Sequence, residues 1–300
     1  MDGRALFLGL AFALMWSSAF TSARIIVAYA PPLYSLSARF LISGLIGVII
    51  ALILGQSWRL SRKQWISVAV FGVCQNALYL GLNFVAMQTV EASLAAIIAS
   101  TMPLIVACAG WIIFRERLST LGICGLIAGL IGVALIMGSR IQADVDLFGI
   151  TLCVIGAASL AAATLSMRGV SSSGNFLMIV GLQMLVGSLT LWIPAMMLET
   201  PTIVWTNAFV YAFIYTTLVP GLLATLVWFI LVDRIGAVRA STYHFLNPFF
   251  GVAIAAAILR EGLSTLDILG VAIVAGGILA VQLETILADH ALIFTNLTTV

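Results

Sequence analysis

Ten long apolar stretches constrain this chain more than any other feature of its sequence. A helix needs about 20 predominantly apolar residues to cross the hydrocarbon core of a bilayer. The stretches cover approximately residues 5–28, 33–55, 65–86, 93–114, 121–138, 146–167, 175–197, 207–231, 238–258 and 266–287. Strands of a membrane barrel show only a weak alternating pattern, whereas these runs are continuously apolar. The sequence therefore predicts an all-α polytopic membrane protein with ten transmembrane helices.

The composition agrees with a membrane location. Hydrophobic residues make up 63% of the 300 residues and charged residues 8%, against about 45–50% and about 25% in soluble domains. The net charge of +2 is too dispersed for nucleic-acid binding. The four cysteines lie in apolar stretches without a CxxC pair, which indicates neither a disulfide framework nor a metal or cofactor. We expect the lipid bilayer and a small-molecule substrate as partners.

Basic residues indicate how the helices are oriented, because cytoplasmic loops carry an excess of Lys and Arg. With a cytoplasmic N-terminus, the outer loops contain Arg140 and Arg260. The cytoplasmic segments then contain Arg4, Arg59, Arg62, Lys63, Arg115, Arg117, Arg168, Arg234 and Arg239. This asymmetry predicts that both termini are cytoplasmic.

The chain contains an internal repeat. Residues 114–121 read Phe-Arg-Glu-Arg-Leu-Ser-Thr-Leu, and residues 259–266, which lie 145 positions later, read Leu-Arg-Glu-Gly-Leu-Ser-Thr-Leu. At the same offset Pro103 matches Pro248. Each half holds five spans, an odd number, so we expect the second half to enter the membrane upside down. The predicted domains are two five-helix repeats and a cytoplasmic tail, at 1–140, 146–288 and 289–300.

Inverted repeats favour a secondary transporter, because two equivalent halves can exchange inward-open and outward-open shapes. Duplication for packing alone is the alternative. The repeated proline, the Arg-Glu-x-Leu-Ser-Thr turn, the glycine-rich helix that follows and the segment Trp16–Phe20 (Trp-Ser-Ser-Ala-Phe) resemble the EamA repeat of the drug/metabolite transporter superfamily. The resemblance covers nearly the whole chain.

Within that superfamily the sequence is most similar to the YddG-type exporters of aromatic amino acids, although Arg-Glu at 115–116 and 260–261 stands where the common form has Gly-Glu. The resemblance implies a carrier in the bacterial inner membrane. It would move small metabolites, amino acids among them, outward by alternating access through a central cavity.

Polar and aromatic residues inside the spans are candidates for lining that cavity, because polar groups are costly against lipid. In the third span Asn76, Tyr79 and Asn83 follow the i, i+3, i+7 spacing of one helix face, with Gln75 beside it. Interhelical hydrogen bonding or packing is the alternative for each candidate. The candidate substrate-binding residues in other spans are Trp16, Ser17, Arg24, Arg39, Ser100, Thr101, Ser159, Trp228, Tyr243, His244 and Asn247.

Three prolines within spans, Pro103, Pro220 and Pro248, predict either hinges or static kinks. Arg24 and Arg39 lie in the predicted outer halves of their spans. Snorkelling to the interface explains either arginine alone. The alternative is that one of them attracts a substrate carboxylate in an outer vestibule.

The acidic residues all lie in loops or at span ends, so no carboxylate is placed deep in the membrane as a proton relay. We therefore favour gradient-driven facilitated passage over a proton-coupled drug or quaternary-amine efflux pump. His244 is expected to be neutral and hydrogen-bonded. Clustered catalytic groups and filter-like sequences are both absent, which argues against an enzyme and against a channel. A homodimer and a monomer both stay compatible with the sequence.

The inverted repeat predicts opposite locations for two loops of nearly identical sequence. Topology reporters fused after Glu116 and after Glu261 should place the first loop in the cytoplasm and the second outside. Signals from the same side of the membrane for both fusions would contradict alternating access by inverted halves.

Overall fold

Helices dominate this fold because a backbone in lipid must satisfy its hydrogen bonds internally. The computed structural model describes residues 3–114, 120–141, 146–166, 174–235, 240, 242–262, 264–277 and 279–280. Within those ranges the chain forms helices joined by turns and short coils, without strands. The helices are α1 (Gly3–Val27), α2 (Pro32–Ile53), α3 (Arg62–Ala86), α4 (Ala92–Ala99), α5 (Met102–Phe114), α6 (Thr120–Ile141), α7 (Leu147–Ser166), α8 (Phe176–Leu198), α9 (Asn207–Ile235), α10 (Asn247–Leu259) and α11 (Thr265–Gly277).

Six of these helices, α1, α2, α3, α7, α8 and α9, are long and apolar enough to cross a membrane. Large apolar side chains such as Phe7, Leu189 and Met197 are more than two-thirds exposed on the bundle surface, as expected of a surface that faces lipid. The all-helical, multi-pass architecture agrees with the sequence. The number ten, and the boundaries at 140, 146 and 288, stay predictions.

Successive helices connect at two ends of the bundle, which we call the Tyr29 end and the Gln56 end. At the Tyr29 end the N–H of Val204 donates to the carbonyl of Tyr29 (2.8 Å), and the Thr89 hydroxyl donates to Asp146 (2.7 Å). That hydroxyl lowers the pKa of the Asp146 carboxyl, because it stabilises the charged form. At the other end the Gln56 side chain accepts from the N–H of Met178 (3.0 Å). The orientation argument predicts that the Tyr29 end is external.

Helices α2 and α8 pack closely along their length and run in opposite directions. Ser37 and Ser188 each donate a hydroxyl hydrogen bond to the other's carbonyl, at 3.0 and 2.9 Å. Gly44 and Gly181 bring the two backbones together: a Cβ at Gly181 would lie 2.8 Å from the N of Val48 and 3.0 Å from the carbonyl O of Gly44. Small residues permit such approach in membranes, where packing rather than water drives association.

Two helices contain π-helical segments, Gly72–Tyr79 in α3 and Thr217–Leu223 in α9. The second begins 145 residues after the first, and α3 and α9 run in opposite directions between the two ends. The first segment packs against α8 and the second against α2. Pro220 contributes to the second, because proline lacks an N–H and disrupts the α-helical hydrogen bonds around it.

Two of the predicted hinge prolines start helices and do not kink them. Pro103 is the second residue of α5, after a break at 100–101 that separates α5 from α4. Pro248 is the second residue of α10, which follows a 3₁₀ turn at Thr242–Leu246. Proline is favoured in the first turn of a helix, because the N–H that it lacks would have no partner there.

Carboxylates from distant loops hold two helix starts at the Tyr29 end. Glu261 accepts from the N–H groups of Ala92 and Ser93, the first residues of α4, at 2.9 and 3.0 Å. Glu199 accepts from two N–H groups in the first turn of α2, both at 2.9 Å. A negative charge is favourable there because it lies at the positive end of the helix dipole. Glu116, which corresponds to Glu261 in the first half of the repeat, lies outside the described residues.

The close contact of α2 and α8 predicts a specific sensitivity to one added methyl group. Gly181→Ala should lower the free energy of unfolding of the purified protein by about 1–3 kcal/mol, because overpacking forces the two backbones apart. Gly276→Ala is the matched control, since a Cβ at Gly276 meets nothing within 4 Å. Unfolding curves in detergent measure the stability of both variants. Equal stabilities would show that the contact of α2 and α8 accommodates the added methyl group without cost.

Candidate functional site

A broad cavity of about 710 Å³ opens at the Tyr29 end, and we call it the vestibule. Its wall is formed by the last turn of α1, the segment after α3, the start of α9 and the loop after α10. Arg24, Glu91, Arg260 and Glu261 give it charges of both signs. The predicted binding residue Arg24 therefore lies at the vestibule and not deeper in the bundle.

A second cavity lies deeper, between α1, α2, α3 and α9, and we call it the central cavity. Its free volume is about 20 Å³, which is room for about one water molecule. It is lined by Trp16, Ala19, Phe20, Ala23, Arg39, Tyr79, Leu80, Asn83, Phe84, Met87 and Pro220. Four of the predicted binding residues and one predicted hinge proline meet here.

Thin partitions separate the central cavity from its neighbours. Towards the vestibule, the guanidinium of Arg24 donates to the carbonyl of Met87, a residue that lines the central cavity. On the other side lies an inner cavity of about 10 Å³. The Trp16 side chain lines both cavities and so stands between them. The inner cavity is lined by Phe12, Trp16, Phe71, Gln75, Leu160, Thr164, Thr225, Trp228 and His244.

Aromatic rings form much of the wall on both sides of Trp16. The rings of Trp16 and Tyr79 are parallel within 3°, with centroids 6.5 Å apart. In the inner cavity the Trp228 ring lies 5.0 Å from the ring of His244, and the Phe12 ring lies 5.2 Å from it. Trp228 thus lies among aromatic neighbours in the wall of the inner cavity, and substrate binding by it stays a prediction.

Arg39 is buried, with 2% of its surface exposed. One terminal nitrogen, Nη1, donates to the carbonyl of Thr216 (3.2 Å), directly before the π segment of α9. The guanidinium also lies over the ring of Phe40 at 4.6 Å and near that of Phe84 at 5.6 Å. Snorkelling does not describe this side chain, because its charged group ends in the protein interior and lines the central cavity.

The predicted stripe on the third span is divided by the π segment. Tyr79 and Asn83 line the central cavity and Gln75 lines the inner one, whereas the Asn76 amide donates to the carbonyl of Gln183 on α8 (2.9 Å). A π turn holds an extra residue, so the i, i+3, i+7 spacing does not keep these side chains on one face. Asn76 makes the interhelical bond that was its alternative interpretation.

A short polar chain links α1 to the ninth apolar stretch. The Ser17 hydroxyl donates to Oδ1 of Asn247 (3.3 Å), and the Asn247 amide lies 2.8 Å from Nδ1 of His244. An amide N–H donates to an imidazole nitrogen that carries no proton, so this bond fits a neutral His244 with its proton on Nε2. His244 therefore has the hydrogen bond that the sequence analysis expected, and its ring lies beside those of Trp16 and Trp228.

Seven predicted binding residues line none of the three cavities: Ser17, Asn76 and Asn247, whose hydrogen bonds are described above, and Ser100, Thr101, Ser159 and Tyr243. The hydroxyls of Ser100, Thr101 and Ser159 each donate to a backbone carbonyl three or four residues earlier in the chain. The Tyr243 ring packs against Gly9, where a Cβ would lie 2.1 Å from it. These side chains satisfy their own hydrogen bonds or fill space between helices.

Sequence reasoning missed several residues of the site. Leu80, Phe84 and Met87 line the central cavity, but an apolar residue that faces a cavity looks the same in sequence as one that faces lipid. Gln183 on α8 lines none of the cavities but was also missed: it is fully buried, and neither side-chain amide atom has a hydrogen-bond partner in the described part of the chain. A glutamine within an apolar span was the signal that could have found it.

Comparison with known proteins decides the family. The sequence profile of the EamA-like transporter family matches residues 3–138 and 147–283. The chain belongs to the EamA-like transporter family. Proteins of this family are transporters and not enzymes, so the chain is an EamA-family transporter of the drug/metabolite superfamily, a multi-pass membrane protein that contacts lipid and a small-molecule substrate.

Relatives of this EamA-family chain match over most of their length. The chain is 28% identical over 273 residues to YvbV, an uncharacterized transporter of Bacillus subtilis, and the match covers 91% of this chain and 89% of YvbV. It is 24% identical to the protein PecM of Dickeya dadantii over 84% of this chain and 83% of PecM. A solved crystal structure covers 94% of this chain and 99% of its own, with a TM-score of 0.69 and 17% identity. That likeness concerns the fold alone.

The different sizes of the cavities predict different access for a thiol reagent. In a variant without native cysteines, Ala208→Cys in the vestibule should react quickly with a polar maleimide, whereas Ala19→Cys in the central cavity should react at least an order of magnitude more slowly. The reason is that the reagent exceeds the room at Ala19. Labelling rates of the detergent-solubilised protein measure this, and equal rates would mean that the central cavity is open.

Proposed function

We propose that this EamA-family transporter is a secondary carrier that exports small metabolites, amino acids and aromatic amino acids among them, across the bacterial inner membrane. The central cavity supports this proposal most directly. It combines parallel aromatic rings, Trp16 and Tyr79, with the buried cation Arg39. Pockets with apolar walls and few polar groups are typical of small-molecule sites. This chemistry agrees with the resemblance to YddG-type exporters.

The position of the cavity also supports a transport site. Tyr79 ends the π segment of α3 and Pro220 lies within that of α9, and both line the central cavity. Transporters bind substrate where helices of two repeats depart from regular geometry. The proposal includes ten transmembrane helices in two inverted halves, 1–140 and 146–288. Both termini are then cytoplasmic, and the Tyr29 end is external.

Alternating access needs a barrier on each side of the site. The Arg24–Met87 contact towards the vestibule and the Trp16 ring towards the inner cavity are suited to these roles. In this structure the site is narrow, so a substrate enters only when a barrier and its helix move. Pro220, and the helix starts at Pro103 and Pro248, are the proposed flexing points, because regular helical hydrogen bonding is interrupted at each of them.

Arg39 also argues against the main alternative. A proton-coupled pump for drugs or quaternary amines would bring a cationic substrate beside a buried guanidinium, where like charges repel strongly because water does not screen them. Gradient-driven passage of a neutral or zwitterionic solute avoids that repulsion. A channel would need a continuous open path, which the narrow central cavity does not provide in this state.

Flux of radiolabelled phenylalanine into proteoliposomes tests the proposed function. The wild-type flux should saturate with concentration and should be the same with and without a pH gradient. Tyr79→Leu should reduce it by about tenfold, which corresponds to about 1.4 kcal/mol of lost binding, because one aromatic wall of the cavity is removed.

Tyr211→Leu is the control, since Tyr211 is largely exposed on the outer surface of α9. Its flux should equal that of the wild type. Radiolabelled threonine, measured in the same way, tests amino acids without a ring. Flux that rises linearly without saturation would favour a channel, and flux that requires a pH gradient would favour the proton-coupled alternative.

A further inference from the structure

We propose that Arg39 and Asn83 form a clamp for the charged ends of a zwitterionic α-amino acid, with Arg39 binding the carboxylate and Asn83 accepting from the ammonium group. This inference rests on the proposed transport function and specifies the substrate class of the same cavity. It follows from two unsatisfied side-chain groups of opposite hydrogen-bonding character that line one cavity.

Arg39 provides an unused donor and an unpaired positive charge. Its Nε has no hydrogen-bond partner, and no carboxylate pairs with it within the described part of the chain. A buried charge without a partner is costly, and a carboxylate of good geometry offsets that cost. The guanidinium offers donors in a planar fork that matches two carboxylate oxygens. A protein that needed Arg39 only to bind the Thr216 carbonyl could do so with a neutral side chain.

Asn83 provides an unused acceptor in the same cavity. Its amide nitrogen donates to the carbonyl of Tyr79 (2.8 Å), which fixes the direction of the side chain and leaves Oδ1 without a partner. Only 1% of its surface is exposed, so water does not readily satisfy this oxygen. The flipped orientation of the amide is excluded, because it would place Oδ1 against the carbonyl of Tyr79, which accepts a hydrogen bond and cannot donate one. The free group is therefore an acceptor, which suits an ammonium N–H.

Gly156 on α7 holds Asn83 in this orientation. A Cβ at Gly156 would lie 2.7 Å from the Asn83 amide nitrogen and 3.2 Å from the Tyr79 carbonyl. The absence of a side chain at this position lets the Asn83–Tyr79 hydrogen bond pack directly against the α7 backbone. Both α3, through the Tyr79 carbonyl, and α7, through Gly156, therefore position Oδ1 of Asn83.

The rest of the cavity wall determines what kind of side chain the amino acid carries. Trp16, Tyr79, Phe84 and Leu80 surround the two polar groups with apolar and aromatic surface. Since Arg39 is engaged by the carboxylate, no further charged group of the cavity is left to pair with a charged substrate side chain. The clamp therefore predicts neutral amino acids with apolar or aromatic side chains, and it discriminates against amines without a carboxylate and acids without an amine.

Competition against phenylalanine flux in proteoliposomes tests the clamp with two truncated analogues. Phenylethylamine lacks the carboxylate and 3-phenylpropionate lacks the ammonium group. For the wild-type protein, each should inhibit at concentrations about tenfold or more above that of unlabelled phenylalanine, because a site built for a polar group rejects an analogue without it.

The variants should remove these preferences one at a time. Arg39→Gln should abolish the preference for phenylalanine over phenylethylamine and keep the preference over 3-phenylpropionate. Asn83→Leu should do the reverse. Arg59→Gln, which removes a positive charge from an exposed loop, should keep both preferences. Arg39→Lys retains the charge and should restore part of the preference that Arg39→Gln loses, which separates recognition from a folding defect.

The outcomes distinguish the clamp from the transport function. Wild-type flux that all three compounds inhibit equally would overturn the clamp and leave the carrier in place. Equal loss of affinity for all three compounds in both variants would also overturn it, because a structural role affects all ligands alike. If the wild type shows no saturable phenylalanine flux, the proposed substrate class itself fails.

Discussion

The structure depends on the requirement that backbone groups inside a bilayer find hydrogen-bond partners within the protein. Where a helix departs from the α pattern, carbonyls are freed and need side-chain donors. At the start of the π segment in α9, Arg39 donates to the carbonyl of Thr216, and Ser43 donates to that of Thr217 at 3.0 Å. A π segment thus brings polar side chains into an apolar core, and hydrogen-bonding capacity remains there at Nε of Arg39.

Few residues separate the three cavities. Trp16 separates the central cavity from the inner one, and the Arg24 contact with Met87 separates it from the vestibule. The site lies between helices of both sequence halves, and relative movement of these helices changes its volume directly.

Sequence reasoning predicted the parts of the fold that follow from composition and period. Apolar runs predicted the helices, whereas the two π segments were not predicted, although they begin at the same 145-residue offset as the repeated turn. Trp16, Tyr79 and Asn83 were recognisable from the sequence because they are polar or aromatic residues in the middle of apolar spans, where a polar group against lipid is costly. Asn76 was predicted to share a cavity-lining face with Tyr79 and Asn83, but it bonds to α8, since a π turn changes which side chains share a face and nothing in the local sequence of α3 marks that turn. The pairing of buried groups across helices, such as Gln183 with Asn76, depends on interhelical register, which periodicity does not contain.

The seam between α2 and α8 has a mechanical consequence. Two glycines place backbone against backbone, and Ser37 and Ser188 bond reciprocally a few turns away. Separating these helices would leave hydroxyls unsatisfied in lipid and open a gap that no side chain can fill, whereas tilting them about their contact preserves both. The seam is therefore suited to serve as a fulcrum about which the two helices tilt.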